Sequence, residues 1–166
     1  MADAAQFRVD LDKFVKNVVP QRAAEIQRNM SLELFSSVVL GTPVGNHRKW
    51  ERNILRARRV GRLGRKAKDF GPLPKGYVGG HARKNWQIRI GSPNVRELAG
   101  QDNGGQRTIS AGLNEIRKVK RKPVRLFIVN PLPYIDPLER GHSKQAPNGW
   151  IRRAIQNVSA KYRRKS

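Results

Sequence analysis

At 166 residues the chain is long enough for one domain with a real core and too short for two substantial ones, so a single domain over 1–166 is expected. Its 35 Lys and Arg against 12 Asp and Glu give a formal net charge of +23, a self-repulsion that favours a polyanionic partner or an assembly with acidic neighbours. There is no cysteine, which excludes a disulfide framework, a cysteine zinc centre and a thiol nucleophile, and favours a reducing cytoplasm.

The opening MADAAQFRVD has neither a basic n-region nor an apolar h-region, and no apolar run approaches the roughly 20 residues that cross a bilayer. Neither secretion nor a membrane partner is expected. From Asp10 onward, Leu11, Phe14, Val15, Val18, Val19, Ala23, Ile26, Met30, Leu34, Phe35, Val38 and Val39 recur at the helical period, with polar residues between them. This predicts a long amphipathic helix. Pro20 has no amide hydrogen and crowds the preceding turn, so the pattern predicts a kink there or two helices in succession. In GTPVG, Gly41 is the expected C-terminal cap and Pro43 the stop.

Residues 47–70 carry the densest positive charge. Arg48, Lys49, Arg52, Arg56, Arg58, Arg59, Arg62, Arg65, Lys66 and Lys68 face only Glu51 and Asp69, and the apolar residues among them are too sparse for a core. The segment reads as a mobile basic arm or extended loop, ordered by a partner. Its cations, with Trp50 able to stack on a base, are the candidate contacts to DNA or to an acidic protein.

NWQIRIGSP alternates Trp86, Ile88 and Ile90 with Gln87 and Arg89, the period of a half-buried strand. GQDNGGQ reads as a flexible turn, and Ile109, Leu113, Ile116 and Val119 as a short helix ending in the basic run RKVKRK. PVRLFIVNP is a second strand, apolar enough to lie centrally in a sheet. Trp86, Ile88, Ile90, Phe127 and Val129 are the expected strand core. Trp150, Ile151, Ala154, Ile155, Val158 and Tyr162 form the stripe of a C-terminal helix with Asn148 as N-cap, followed by a frayed tail over 163–166. The class is α+β: a small, mostly antiparallel sheet packed against a long N-terminal helix and a C-terminal helix, with a long basic loop inserted. Further strands are expected within the loops.

Catalysis is not expected. His47, His81 and His142 lie in loops without carboxylate pairs or metal-ligand spacing, and each is expected to serve as a surface or hydrogen-bonding residue. Ser143 beside His142 is not part of a GxSxG elbow, and GYVGGH lacks the Lys and Ser or Thr of a phosphate loop. No cofactor or metal is implied. Charge alone leaves two readings open: nucleic-acid binding of the ribosomal type, and assembly against acidic protein surfaces.

Three blocks, GTPVGN at 41–46, GYVGGHARKNWQIRIGSPN at 76–94 and NPLPYIDPLERGHSKQAPNGWIRRAI at 130–155, carry a resemblance. In order and spacing, Thr42, Pro43, Val44, Gly80, Arg83, Asn85, Trp86, Gly91, Ser92, Pro93, Asn130, Pro133, Tyr134, Leu138, Glu139, Gly141, His142, Ser143, Gln145, Ala146 and Pro147 follow a known pattern. It resembles that of the tail-completion and head-tail joining family of tailed bacteriophages, which includes minor tail proteins of the lambda Z type. Where that family has a short turn after Thr-Pro-Val, this chain carries the basic arm.

The resemblance implies a virion protein of the neck, assembled in the host cytoplasm. It would form a homo-oligomeric ring, expected to be a hexamer, that completes the tail and joins it to the DNA-filled head. Its implied partners are head-completion or connector proteins, tail tube or sheath proteins, and genomic DNA in the lumen. Tyr134, Leu138, Glu139, Arg140, His142 and Gln145 are the candidate assembly contacts. Tyr134 and Leu138 are expected to anchor the Pro-rich loop on the core, and Glu139 to pair with Arg83, Arg140 or a neighbouring subunit.

Overall fold

The structure is a computed structural model that describes residues 4–45, 79–142 and 148–163. The basic arm, with Arg48, Lys49, Trp50, Arg52, Arg56, Arg58, Arg59, Arg62, Arg65, Lys66 and Lys68, and also Gln145, lies outside these residues.

The N-terminal helical segment begins at Ala4 rather than near Asp10 and runs as α1 (Ala4–Lys13), a wide turn over Phe14–Val18, and α2 (Val19–Gly41). The wide turn is how the helix accommodates Pro20. Pro20 has no N–H to donate to the turn before it, and the N–H of Val19 reaches back five residues to the Phe14 carbonyl. Lys13, Val18 and Val19 all keep right-handed helical dihedrals, so the helix widens there and does not break into two.

Gly41 is not the cap of α2. Thr42 leaves the helix with an extended backbone (φ −66°, ψ 126°), and its N–H still bonds the Val38 and Val39 carbonyls. The reason for glycine at 41 is the last helix: a Cβ there would lie 2.7 Å from Cδ1 of Trp150.

The remaining elements are α3 (His81–Lys84), β1 (Gln87–Ile90), α4 (Gln106–Ile116), β2 (Leu126–Val129), α5 (Ile135–Pro137), a wide turn over Leu138–His142, and α6 (Trp150–Arg163). The architecture is α+β, with a long N-terminal helix, a C-terminal helix and a small antiparallel sheet. β1 and β2 pair in the register Gln87↔Val129, Ile88↔Ile128, Arg89↔Phe127 and Ile90↔Leu126. Among the described residues no further strand joins them. α6 reaches Arg163, so the helical end extends into the segment expected to fray.

α2 is the spine. It packs against α4 and α6, and α4 in turn packs against β1. Phe35, Val38 and Val39 of α2, Trp86 and Ile88 around β1, Ile116 of α4, Leu132 and Ile135 beyond β2, and Trp150 and Ala154 of α6 form one buried cluster. At the α2–α4 crossing the helices meet so closely that a Cβ on Gly112 would lie 2.2 Å from Cε1 of Phe35. Only glycine leaves room for that ring.

The expected strand core divides. Trp86 and Ile88 are buried, Phe127 and Val129 are half-buried, and Ile90 is 36% exposed. Ile90 keeps the period of Trp86 and Ile88, but burial falls away along β1 and its last two residues are exposed. β2 is half-buried at every position rather than central in a larger sheet. No helix among the described residues is long and apolar enough to cross a membrane.

Candidate functional site

The three sequence blocks, far apart in the chain, meet around the C-terminal end of α2. The last carbonyls of a helix lack intrahelical donors and need partners from elsewhere. Arg83 of α3 supplies them: its guanidinium donates to the carbonyls of Leu40 (3.0 Å) and Thr42 (2.8 Å), and also to that of Asn103. A cation at this end also suits the helix dipole. Burial holds the Arg83 guanidinium below its ordinary pKa against the opposing charge of Asp102, and its Nε–H is buried without an acceptor among the described residues.

Thr42 joins the first block to the second. Its hydroxyl donates to the Val38 carbonyl (2.7 Å) and accepts the indole N–H of Trp86 (2.8 Å). Asn85, wholly buried, donates through Nδ2 to the carbonyls of His81 (3.0 Å) and Leu98 (3.1 Å) and accepts the Leu98 N–H (2.7 Å). The third block enters through Asn130, whose Nδ2 donates to the Ala82 carbonyl (2.8 Å), and through Trp150, whose indole N–H points at the Val38 carbonyl (3.4 Å).

The histidine in this region serves structure. His81 Nδ1 lies 2.8 Å from the Gly100 carbonyl and Nε2 2.8 Å from the Glu97 carboxylate, two acceptors that together favour the imidazolium. The Gly100 carbonyl, opposed by burial and helped by Glu97, raises its pKa above 6.5. Among the described residues no three His, Asp or Glu side chains gather as metal ligands.

The Pro-rich stretch of the third block meets the sequence expectation at Leu138 but not at Tyr134. Its anchors are Leu132 and Ile135, both buried, with Leu138 packed half-buried against the same cluster; Tyr134 is 41% exposed. Glu139 pairs with neither Arg83 nor Arg140. Its carboxylate accepts the N–H groups of Ile151 (3.0 Å) and Arg152 (3.2 Å), while its own carbonyl accepts the Gly149 N–H (2.8 Å).

Glu139 therefore supplies the side-chain cap for the first turn of α6, where free amides and the dipole favour an anion. Asn148 is not the first helical acceptor; the carbonyl of Gly149 is, receiving Arg153 N–H. Arg140 pairs instead with Asp136 (3.3 Å) on the exposed face. The side chain of His142 lies outside the described residues. Replacing Glu139 with alanine is expected to destabilise the protein by about 1 kcal/mol through loss of this cap. Thermal unfolding checks it, with faster amide exchange at Ile151 and Arg152 as the local signature.

Sequence reasoning missed Asp102. Its Oδ1 accepts the Gly105 N–H (2.9 Å), and its Oδ2 accepts both the N–H and the hydroxyl of Thr108 (2.8 Å each). GQDNGGQ is thus the capped entry to α4, not a flexible turn. The available signal was an Asp placed just before a helical period, obscured by two glycines.

No protein-family model, no curated protein and no solved structure matches this chain.

Proposed function

We propose that the chain is a virion structural protein of a tailed bacteriophage. It is one subunit of a ring at the head-tail junction that completes the tail and joins it to the DNA-filled head, and it acts by assembly without catalysis. Connector or head-completion proteins on one side and tail tube or sheath proteins on the other are its proposed partners.

The observation that carries this reading is the convergence of the three motif blocks on one hydrogen-bonded centre. Thr42, Asn85, Trp86, Asn130 and Glu139 spend their polar groups on backbone and on one another, and Arg83 spends both terminal nitrogens on backbone carbonyls, which is what a pattern selected for shape would require. A second feature supports assembly. The N-terminal helical segment carries exposed Leu11, Phe14, Val15, Val18 and Val19, with Phe14 52% exposed. Contiguous apolar surface of this kind suits a protein partner, and a face that meets a different face of the next copy closes a ring by rotation.

The competing reading, a ribosomal-type nucleic-acid-binding protein, is favoured by the net charge of +23. Light scattering on nuclease-treated protein separates the two. The neck reading expects a discrete oligomer whose mass is unchanged by nuclease. A monomer, or an oligomer that dissolves when nucleic acid is digested, overturns it.

A further inference from the structure

The basic run after α4 has no part in the motif centre, yet it is firmly placed. Gln27 of α2 bonds both backbone groups of Val124, donating to its carbonyl (2.5 Å) and accepting its N–H (3.0 Å). Arg28 donates to the carbonyls of Val119 (2.8 Å) and Lys120 (3.1 Å), and Val119 is buried beneath them. These bonds clamp the 117–124 segment along α2.

Between the two elements lie adjoining open recesses of about 760 and 600 Å³ that share Gln21, Lys120 and Arg121. Among the described residues, Lys16 and Arg22 join Arg28 on the helix side of this groove, and Arg117, Lys120, Arg121 and Lys122 stand on the other; Glu25 is the one carboxylate lining it. The six cations other than Arg28 are exposed. Among the described residues none of them is in a salt bridge.

We propose that this groove binds the phosphate backbone of a nucleic acid. Six cations on a clamped surface form a preorganised polyanion site, because the backbone beneath them is already ordered before a ligand arrives. With 12 carboxylates to 35 Lys and Arg, a second copy of the chain is poorly suited to neutralise it. Among the described carboxylates, Glu33 is held by Lys161, Glu97 by His81, Glu115 by Lys118 and Asp136 by Arg140, Asp102 and Glu139 cap helices, and Asp10 accepts from Gln6, which leaves Asp12 and Glu25. A phosphodiester chain supplies dense, regular negative charge along both rails at once. The inference does not depend on a position in a phage neck, since the groove's charge and clamping are the same wherever the protein acts.

The test uses the full chain, a fluorescent DNA duplex of about 20 base pairs, and titration over a range of salt. The groove variant carries Arg117→Ala, Lys120→Ala and Arg121→Ala. A control carries Arg8→Ala, Arg89→Ala and Arg96→Ala, three exposed positions away from the groove, and an arm variant carries Arg56→Ala, Arg58→Ala and Arg59→Ala. Unfolding curves establish that each variant folds.

The groove variant is expected to lose at least about tenfold in affinity near 0.15 M salt, and its slope of log affinity against log salt to fall by about 2.7, as for three lost phosphate contacts. The control should lose less than about twofold. Single-stranded RNA in place of DNA separates the two nucleic-acid sources of the same phosphate chemistry, and groove-dependent binding of either supports the proposal. Equal losses in groove and control variants, binding lost only in the arm variant, or groove-dependent binding of polyglutamate but not of nucleic acid would each overturn it.

Discussion

Replacing Trp86 with alanine is expected to destabilise the protein by about 3–5 kcal/mol, the range for a large aromatic removed from a packed interior. The indole is 6% exposed and belongs to the cluster that α2, β1 and α6 share. Its removal leaves a cavity at the point where the blocks meet. It also leaves the wholly buried Thr42 hydroxyl without the N–H it accepts, although its own donation to Val38 survives. Trp86→Phe fills most of the volume and gives up only that hydrogen bond, so it should cost about 1–2 kcal/mol. Denaturant unfolding of both variants checks the pair. A loss below about 1 kcal/mol for alanine would mean that the junction between the blocks does not hold the fold together.

The second large effect lies at Asp102. Replacing it with alanine removes a carboxylate that accepts three hydrogen bonds at the start of α4, and a loss of about 2–4 kcal/mol is expected. Burial pushes the Asp102 carboxyl up, but the N–H and hydroxyl of Thr108, the N–H of Gly105 and the charge of Arg107 together pull it below its ordinary 3.8. A carboxyl with a depressed folded pKa contributes stability that is complete above the unfolded value and is lost as pH falls through the folded one. The difference between wild type and Asp102→Ala should therefore stay constant from neutral pH into mild acid and narrow below pH 3.8. Asp102→Asn keeps an acceptor without the charge and should fall between the two, with no such acid dependence. A wild-type advantage that grew below pH 3.8 would contradict the assignment.

Much of the fold was legible because burial follows simple periods. Phe35, Val38 and Val39 on one helix, Trp86 and Ile88 at alternate positions leading into β1, and Trp150, Ala154 and Val158 on the last helix are buried at the spacing their elements dictate. What escaped depends on contacts between distant residues. Glu139 caps a helix that begins eleven positions later, so no local pattern could assign it. Gly41 looked like a helix terminator because glycine so often is one; its actual constraint is the Trp150 ring, more than a hundred residues away. Ile90 kept the alternation of a buried strand position, but alternation does not reveal where the covering layer ends.

The candidate site shows the same division. The residues were visible in the sequence while most of their contacts were not: Leu138 packs on the core as expected, but Leu132 and Ile135 are the buried anchors beside it, Tyr134 is exposed, and the Glu139 carboxylate caps α6. The groove beside α2 was visible only as the charge run RKVKRK. Its organisation comes from Gln27 and Arg28, about 90 residues earlier in the chain, which bond the backbone of that run.

The central claim is that these residues shape a subunit for assembly into a neck ring. Electron microscopy of the purified, nuclease-treated protein, alone and with head and tail components, tests it most directly. The account predicts closed rings of identical subunits, six per ring, that seat between head and tail. A particle that stays monomeric at every concentration, joins neither component and co-purifies with ribosomes would contradict it.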